Sequence, residues 1–331
     1  MSRLSLQATD TAQLGNEASP PDVSILIVAY QSVDLIGACI EAIPHACSRY
    51  RYETLLVDNG DGRTAAFVAE KFPDVRIIPG RGNIGFAAGN NLLALLAKAP
   101  LLLLANPDLE MRPGSVDELL DGSERYPHAA AWGGVTLNRN GQPDIGNSVH
   151  VPSLKEMTSR LFGRSANRLA PNDTLAKDHK VEALSGGFVM FSGKAWEEAG
   201  GLDESYFLYC EEVDLFFRLS RKGYEFWRIG SARAFHDAGH GNEIAPSRLL
   251  YRAAGTMQFT RLHWSFPRQV AAFLLLWLNA LLRYMVGKIC GFWNPRLRRI
   301  GFGYRRMALS PTEWCFGYHP TKGLLTKQKV S

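Results

Sequence analysis

Several features that define familiar protein classes are missing from this sequence. The five cysteines are scattered, and none forms a CxxC pair or a Cys/His group with the spacing of a zinc site. This argues against a disulfide framework or a structural zinc, and it fits a reducing cytoplasm. Residues 1–22 also lack the charged and apolar regions of a signal peptide, so they are predicted to form a mobile tail.

Long apolar runs are scarce as well. The most apolar stretch, Val270–Leu282, is shorter than the stretch of about 20 residues that a membrane span needs. Hydrophobic residues make up 46% of the 331 residues and charged residues 21%, a balance typical of a globular protein with a real core. The net charge is +5, but Arg283–Ser331 holds ten Lys or Arg and one acidic residue, which leaves the rest of the chain at −4. A basic C-terminal end indicates an anionic partner, either lipid headgroups or nucleic acid.

Strands and helices alternate regularly in the first hundred residues. Val23–Ala29 is a continuous apolar run, typical of a strand buried on both faces. Further strands are predicted at Glu53–Val57, Val75–Ile78 and Leu101–Ala105. Helices are predicted between them, after a cap at Ser32 and over Thr64–Phe72 and Gly85–Lys98. This order predicts βαβ units and a parallel sheet.

Polar clusters follow three of these strands, at Tyr30-Gln31, Asp58-Asn59 and Asn106-Pro107-Asp108. Because ligands bind outside the carboxyl ends of parallel strands, the clusters are predicted to meet at one edge of the sheet. Farther along, weak periodicity predicts a long irregular insertion over Arg139–Lys180. Regular structure is predicted to return at Val181–Phe191, with a helix at Glu211–Lys222 and a strand at Tyr224–Ile229.

Two groups of carboxylates are candidates for chemistry. Asp108 offers an oxygen ligand of the kind that Mg²⁺ or Mn²⁺ prefers, although Asn, Pro and Asp also form ordinary turns. Glu211, Glu212 and Asp214 lie at the start of a predicted helix, where acids complement the helix dipole. Because charges this dense are costly unless a cation or a proton is shared, a structural and a catalytic role both stay open.

Two further segments can contact an anion or a metal. His236 follows a predicted strand and can complete a metal site with Asp108, or it can be an ordinary core or surface group. Gly82-Asn83-Ile84-Gly85 leads into a helix whose N-terminus can face an anion. No GxGxxG follows the first strand, which argues against a dehydrogenase.

Taken in order, these segments resemble family 2 glycosyltransferases of the GT-A fold, in particular the bacterial rhamnosyltransferase-like branch. The matching stretches are VSILIVAYQS (23–32), LLVDNG (55–60), GNIGFAAGNN (82–91), LLLANPDLEMRPG (102–114), LSGGFVMFSGKAWEEAGGLDESYFLYCEEVDLFFRLSRKGY (184–224) and FHDAGHG (235–241). Each stretch is a weak signal by itself, but their order and spacing together are specific.

The resemblance implies a Rossmann-like α/β domain whose mixed, mainly parallel sheet is flanked by helices, with a C-terminal helical extension. It implies a glycosyltransferase domain at residues 23–245, between the tail at residues 1–22 and a basic extension at residues 246–331. Members of this kind invert the anomeric centre by direct displacement. A carboxylate accepts the proton of the acceptor hydroxyl, and a divalent metal, Mg²⁺ or Mn²⁺, stabilises the departing diphosphate.

The resemblance also implies two groups of residues around the donor. The nucleotide pocket is expected to be lined by Tyr30, Asp58, Asn83 and Asn90. The metal motif is expected at Asn106 and Asp108, with Asp108 and His236 as the metal contacts.

Glu212 falls where the family carries its catalytic carboxylate, on a helix that Asp214 and Arg218 would support. The family's usual residue there is Asp, and the longer Glu side chain leaves open whether Glu211 or Glu212 is the base. Asn106 likewise replaces the first Asp of the DxD motif, which weakens the metal site. The acceptor side is expected at Gly187, Trp196, Tyr209 and Asp214.

The expected activity is transfer of a sugar from a nucleotide-diphosphate donor to a hydroxyl of a glycan or lipid-linked glycan, in cell-surface polysaccharide synthesis. The branch resemblance favours rhamnose from dTDP-rhamnose, while galactose, galactofuranose, glucose and N-acetylglucosamine stay open. The alternative is a non-catalytic nucleotide- or sugar-binding module with the same fold. Asp108, His236 and the carboxylate cluster argue against a module, because binding alone does not need them all.

The basic end of the chain is predicted to contact an anionic membrane through residues 268–306, where basic and aromatic residues flank an apolar helix. A core helix packed on the sheet is the competing interpretation. Nucleic acid is not expected, because the positive charge is confined to one end and no recognised nucleic-acid motif is present. These features predict a cytoplasmic protein that is peripheral on the inner face of the cell membrane.

Overall fold

A computed structural model of the chain describes residues 19–144, 147, 149–163, 175–236, 246–319 and 323–324. The strands in this part are β1 (Val23–Ala29), β2 (Tyr52–Asp58), β3 (Arg76–Ile78), β4 (Leu101–Ala105), β5 (Leu109–Met111), β6 (Ala129–Leu137), β7 (His179–Lys180), β8 (Phe188–Ser192), β9 (Glu225–His236), β10 (Tyr318–His319) and β11 (Gly323–Leu324). The helices are α1 (Val33–Ala46), α2 (Arg63–Lys71), α3 (Gly85–Leu96), α4 (Ser115–Arg125), α5 (Leu154–Leu161), α6 (Gly193–Ala199), α7 (Glu211–Ser220), α8 (Pro246–His263), α9 (Phe266–Cys290) and α10 (Pro295–Leu309).

Nine of the strands form one mixed sheet in the order β3-β2-β1-β4-β8-β6-β9-β5, with β7 also paired to β9. The first four strands in this order are parallel, as the βαβ pattern predicted. Strand β8 runs antiparallel to both β4 and β6, whereas β6 and β9 are parallel. The expected α/β architecture, a mixed sheet flanked by helices and followed by C-terminal helices, is confirmed.

The central strand β1 is buried on both faces. Ile25 and Ile27 pack into one core with Ile36 of α1, while Leu26 packs into a second core with Leu93 of α3. This alternation follows from the two-residue period of a strand. Burial of a side chain of this size contributes about 1.5–3 kcal/mol, so a strand with large apolar side chains on both sides requires helices on both faces of the sheet.

The predicted boundaries of the first elements hold to within two residues, but the predicted cap does not form. The Ser32 side chain makes no capping hydrogen bond, and its hydroxyl donates to the Tyr30 carbonyl at 3.0 Å instead. A local serine–backbone turn therefore replaces the N-cap.

The second half of the chain is more regular than predicted. The interval 139–180 contains α5, which begins with a genuine cap because Ser153 accepts a hydrogen bond from Glu156 N. Strand β9 continues to His236, so this histidine ends the strand instead of following it. Residues 237–241 of the FHDAGHG stretch lie outside the described part.

The C-terminal helices pack onto the segment that contains α7. Tyr206 and Val213 share a core with Phe259 of α8, Met307 of α10 and Trp314. The predicted boundary at residue 245 lies outside the described residues, and the division of the chain into three parts stays a prediction.

Helix α9 is longer than the predicted apolar run, since it continues through Arg283 and Lys288 to Cys290. Among the described residues it is the one helix whose length and composition suffice to cross a membrane. One face of α9 packs along α10. At the closest point a side-chain carbon on Gly287 would lie 2.4 Å from the Gly301 Cα, so the crossing requires glycine.

We expect Gly287→Ala to destabilise the protein by about 1–3 kcal/mol, because the added methyl group meets backbone that cannot move aside. Gly37→Ala in α1 is the matched control, since its methyl group would meet only the Phe67 ring at 3.7 Å. Helix propensity alone then predicts a gain of up to about 1 kcal/mol for the control. Urea unfolding of both variants measures the difference, and similar effects at the two positions would contradict the close crossing.

Candidate active site

The polar clusters predicted at the strand ends do converge. Ala29 is in register with Asp58 across the parallel β1–β2 pair, and β4 lies on the other side of β1. Tyr30, Asp58 and the Asn106–Asp108 turn therefore share one edge of the sheet.

Two strand pairings complete this edge with residues from the second half of the chain. Ala105 pairs with Phe188 across β4–β8, so Asn106 lies beside Gly187, and its N–H donates to the Gly187 carbonyl at 3.0 Å. Leu109 pairs with His236 across β5–β9, which brings His236 next to Asp108. Sheet register thus assembles the predicted metal residues.

His236 lies between two carboxylates. Its Nε2 is 3.4 Å from Asp108 Oδ1, and its Nδ1 is 2.8 Å from Asp144 Oδ2. Asp144 is itself fixed by Thr136, whose hydroxyl donates to it at 2.6 Å. Burial acts to lower the pKa of His236, but the hydrogen bonds and charges of Asp108 and Asp144 raise it to about 9.

This arrangement fits a divalent cation. A histidine that binds a metal through one nitrogen commonly donates its other N–H to a carboxylate, as Nδ1 of His236 can do to Asp144. Among the described residues, no group of three His, Cys, Asp or Glu is placed to hold a metal ion by itself. Asp108 and His236 would therefore need phosphate oxygens and water to complete the coordination, which suits a site that binds a nucleotide diphosphate.

Asp108 and His236 form the metal end of the candidate site. Gly186 and Gly187 connect this metal end to the carboxylate cluster at the start of α7. A side-chain carbon on Gly187 would lie 3.0 Å from Asn106 Nδ2 and 3.7 Å from His236 Cε1. One on Gly186 would lie 3.8 Å from the Glu212 Cβ. Consecutive Cα atoms are about 3.8 Å apart, so a single peptide unit separates the surroundings of His236 from those of Glu212.

The two glutamates at the start of α7 are held in the protein interior. Burial and mutual repulsion raise the pKa of Glu211 well above its usual range, and burial raises that of Glu212. No described residue donates a hydrogen bond to the Oε2 atoms of either side chain. The preceding Tyr209 and Cys210 both have left-handed backbone, with φ of 69° and 74°. Such strain costs about 1–3 kcal/mol per residue and occurs mainly at functional sites.

The neighbours of the two glutamates differ. Glu212 is partly exposed, and the N–H groups of Gly186 and Cys210 and the charge of Arg252 favour its ionised form. Glu211 is 3% exposed, and its charge acts on the buried Tyr206 and Tyr318. Glu212 therefore lies beside Gly186, whereas Glu211 faces the core beneath the C-terminal helices.

Asp214 anchors α7 instead of facing an acceptor. Its carboxylate accepts from Arg218 Nε at 2.7 Å and contacts His263 Nε2 at 2.6 Å. Arg218 in turn donates to the carbonyls of Ala199 and Gly201. Asp214 is 1% exposed, so its predicted place on the acceptor side is corrected to support of the helix.

The residues predicted to line the nucleotide pocket are of two kinds, some exposed to solvent and others packed within the protein. Tyr30 is 52% exposed, and Asn83 is exposed at the start of α3. Asp58 accepts from the N–H groups of Gly60 at 2.7 Å and Ala65 at 3.1 Å, which shapes the turn into α2. Asn90 is 1% exposed, and its amide donates to Phe86 O, so it supports α3 instead of reaching an open surface.

Two aromatic residues predicted on the acceptor side lie in different surroundings. Tyr209 is beside the glutamates, with the Arg252 guanidinium 5.5 Å from its ring centroid. Trp196 is buried against Phe191 and borders an open groove of about 970 Å³ between α3 and α6. Neither Glu212 nor the metal end lines that groove, so Trp196 is apart from the carboxylates.

Sequence reasoning missed three residues of the site. Asp144 lies in the stretch predicted to be irregular, and Arg252 and Tyr318 lie in the C-terminal part, beyond the matching motifs. The Tyr318 hydroxyl lies within hydrogen-bond distance of the carbonyls of Leu208 and Tyr251, to one of which it donates, and so it ties the turn before α7 to α8. No local pattern indicates these contacts, because each joins elements distant along the chain.

Comparisons with known proteins show the family and the fold of the chain. The model for glycosyl transferase family 2 matches residues 24–198. The N-acetylglucosaminyl-diphospho-decaprenol L-rhamnosyltransferase of Mycobacterium tuberculosis is 32% identical over 222 residues, which cover 59% of this chain and 70% of that protein. Rhamnosyltransferase WbbL of Escherichia coli is 26% identical over 239 residues, covering 66% and 85% of the two chains.

Two solved structures share the fold at low sequence identity. The mannosyltransferase PcManGT from Pyrobaculum calidifontis, in complex with GDP-Man and Mn²⁺, has a TM-score of 0.56 and 13% identity, with 89% of each chain covered. GalNAc-T7 with UDP, GalNAc and Mn²⁺ has a TM-score of 0.53 and 11% identity, with 81% of this chain and 51% of that chain covered.

The buried contacts of Asp214 with Arg218 and His263 predict that removal of this carboxylate has a large effect on stability. We expect Asp214→Ala to destabilise the protein by roughly 3–5 kcal/mol, because it leaves Arg218 and His263 without their buried partner. Lys194→Ala breaks a similarly spaced but exposed pair with Glu198 and should cost less than about 1 kcal/mol. Chemical unfolding measures both changes. A small loss for Asp214→Ala would mean that α7 does not depend on this anchor.

The buried glutamates predict that removal of one of their charges stabilises the protein, by an amount that depends on pH. Above the unfolded glutamate pKa of about 4.3, the unfolded chain releases a proton that the folded chain retains at Glu211, so the unfolding free energy falls as pH rises. Glu211→Gln removes this loss of unfolding free energy, because a glutamine side chain carries no titrating proton. We expect the variant to exceed the wild type in melting temperature by more at about pH 7.5 than at about pH 4.5. An equal difference at the two pH values would contradict the raised pKa of Glu211.

Proposed function

The chain belongs to glycosyl transferase family 2 and is a glycosyltransferase, and we propose that it transfers rhamnose from dTDP-rhamnose to a hydroxyl of a lipid-linked glycan with inversion at the anomeric carbon. The rhamnosyl donor is supported by the two similar rhamnosyltransferases. A lipid-linked acceptor is supported by the name of the mycobacterial relative, whose substrate carries N-acetylglucosamine on decaprenol diphosphate. Such a reaction belongs to the synthesis of cell-surface polysaccharide.

One observation carries the proposal, the short separation between a metal end and a base. Gly186 lies against Glu212, and the next residue lies against Asn106 and His236. A donor whose diphosphate contacts Asp108 and His236 would have its sugar beside the glycine pair. The absence of side chains lets Phe86 pack against Gly186 and Asn106 pack against Gly187, since an added carbon would lie only 3.2 Å and 3.0 Å from them.

Glu212 is the proposed base. Its partial exposure and its place beside Gly186 favour it over the buried Glu211. A carboxylate with a raised pKa is a stronger base near neutral pH, while the Gly186 and Cys210 N–H groups and Arg252 keep its ionised form accessible. Glu212 takes the proton of the acceptor hydroxyl as the acceptor oxygen bonds to the anomeric carbon. The bond from that carbon to the diphosphate breaks on the opposite face, which inverts the configuration.

Asp108 and His236 are the proposed ligands of Mn²⁺ or Mg²⁺, with Asp144 orienting the imidazole. The bound cation would neutralise the charge that develops on the departing diphosphate. Tyr30, Asp58 and Asn83 are proposed to contact the nucleoside, since they lie at the carboxyl ends of the parallel strands where such ligands bind.

The test is transfer assayed over a panel of nucleotide sugars, with a polyprenyl-diphosphate glycan as acceptor and with added Mn²⁺, Mg²⁺ or chelator. We expect turnover of dTDP-rhamnose that chelator abolishes. We expect Glu212→Gln to reduce kcat by roughly 10²–10⁴-fold while donor binding is retained, because loss of a general base affects only the chemical step. We expect Asp108→Asn to weaken Mn²⁺-dependent binding of the nucleotide.

Glu110→Gln is the matched control, since this exposed carboxylate lies two residues from Asp108 on β5. It should leave both kcat and nucleotide binding unchanged. Turnover of a different donor would reject rhamnose but keep the mechanism. Binding of nucleotide without turnover of any donor in the panel would overturn catalysis and favour a non-catalytic binding module.

A further inference from the structure

The outer face of α9 carries a row of large apolar side chains that are 39–74% exposed in the described structure. They recur at three- or four-residue spacing along the helix, at Phe266, Val270, Leu274, Leu278, Leu282, Met285, Val286 and Ile289. The opposite face carries the small buried residues Ala272, Ala280 and Gly287, where α9 packs on its neighbours. The apolar row is therefore a separate surface and not part of the core.

This surface is too extended to be ordinary scattered exposure. A helix of 25 residues is about 37 Å long. The row continues past its end into Phe292 and Trp293, which are 86% and 77% exposed. Single exposed apolar residues need no explanation, but contiguous patches of this extent mark interaction sites.

Positive charge surrounds the apolar row. Residues 266–309 contain eight Lys or Arg and no Asp or Glu. On α10, the exposed face carries Phe302 and Leu309 among the exposed Arg298, Arg299, Arg305 and Arg306. An apolar surface with a basic border matches a membrane with anionic lipids, in which apolar side chains enter the acyl boundary and guanidinium groups meet lipid phosphates.

The packing of α9 opposes a membrane-spanning orientation. Near its middle, Trp277 Nε1 donates to the Ala308 carbonyl of α10 at 3.0 Å, and the Phe273 ring lies 5.5 Å from that of Trp314. Near its end, Gly287 lies against Gly301 of α10. A spanning α9 would carry α10 and its arginines into the hydrocarbon, where each charge is costly.

We propose that the outer faces of α9 and α10 bind the surface of an anionic membrane, with α9 lying in the plane of the interface. Helix α8 links this surface to the candidate active site, because it contributes Arg252 beside Glu212 and packs in the same core as α9. Binding therefore holds the site at a set orientation to the lipid surface. The proposal does not depend on the donor or on catalysis.

The first test is co-sedimentation of the full chain with vesicles of equal parts phosphatidylcholine and phosphatidylglycerol, compared with vesicles of phosphatidylcholine alone. We expect binding to the anionic vesicles that weakens as salt is raised. Leu274→Glu combined with Leu278→Glu should lower the partition coefficient roughly tenfold or more. Arg299→Gln and Arg305→Gln should each lower it roughly fivefold.

Leu95→Glu is the matched control, because this leucine of α3 is 82% exposed and outside the proposed surface. It should bind vesicles as the wild type does, and melting temperatures should show that all variants remain folded. The assay contains no sugar donor, so its outcome is separate from that of the transfer assay.

A depth measurement distinguishes an in-plane helix from a spanning one. A fluorescent amino acid placed at position 270, 278 or 286 is quenched by lipids brominated at known depths. We expect all three probes at one shallow depth, about 5–10 Å below the headgroups. A depth that is greatest at position 278 would overturn the in-plane orientation.

Two other results would overturn the proposal as a whole. One is equal binding of the wild type and the Leu274→Glu, Leu278→Glu variant to anionic vesicles. The other is a stable dimer in lipid-free buffer that this double substitution dissociates, which would show that a second copy of the chain covers the surface.

Discussion

The burial of two adjacent carboxylates at the start of α7 is the constraint on which the rest of this structure depends. Glu211 and Glu212 repel one another, and neither is exposed enough for water to screen the repulsion. They are reached through Tyr209 and Cys210, which both adopt left-handed backbone. A chain adopts such a conformation only when the surrounding packing stabilises it by more than the strain costs.

The surrounding packing comes from two directions. Within the α/β domain, Asp214 and Arg218 fix α7 to carbonyl groups at the end of α6. From the C-terminal part, His263 reaches the same carboxylate and Tyr318 holds the backbone of the turn. The C-terminal helices are therefore part of the active-site support, and their outer face is free to serve a second purpose at a membrane.

The metal end follows a different physical rule, since sheet register and not burial brings its residues together. Asp108 and His236 are far apart in the sequence but adjacent across β5 and β9. The family model ends at residue 198, before α7 and β9. The assignment of Glu212 and His236 therefore stands on the motifs and on the geometry around Gly186 and Gly187, and it remains a proposal.

The sequence by itself determined the parallel half of the sheet, the family, and the strand ends that bear Tyr30, Asp58 and Asp108. These signals are local, because apolar runs, turn residues and motif spacing are properties of neighbouring residues. Only the tertiary structure decided that Asn90 and Asp214 are packed, that Glu212 and not Glu211 lies beside Gly186, and that Asp144 orients His236. It also decided that α9 is packed on one face and exposed on the other. Each of these facts depends on contacts between residues distant in the chain, and no local pattern records which side chain such a contact will bury.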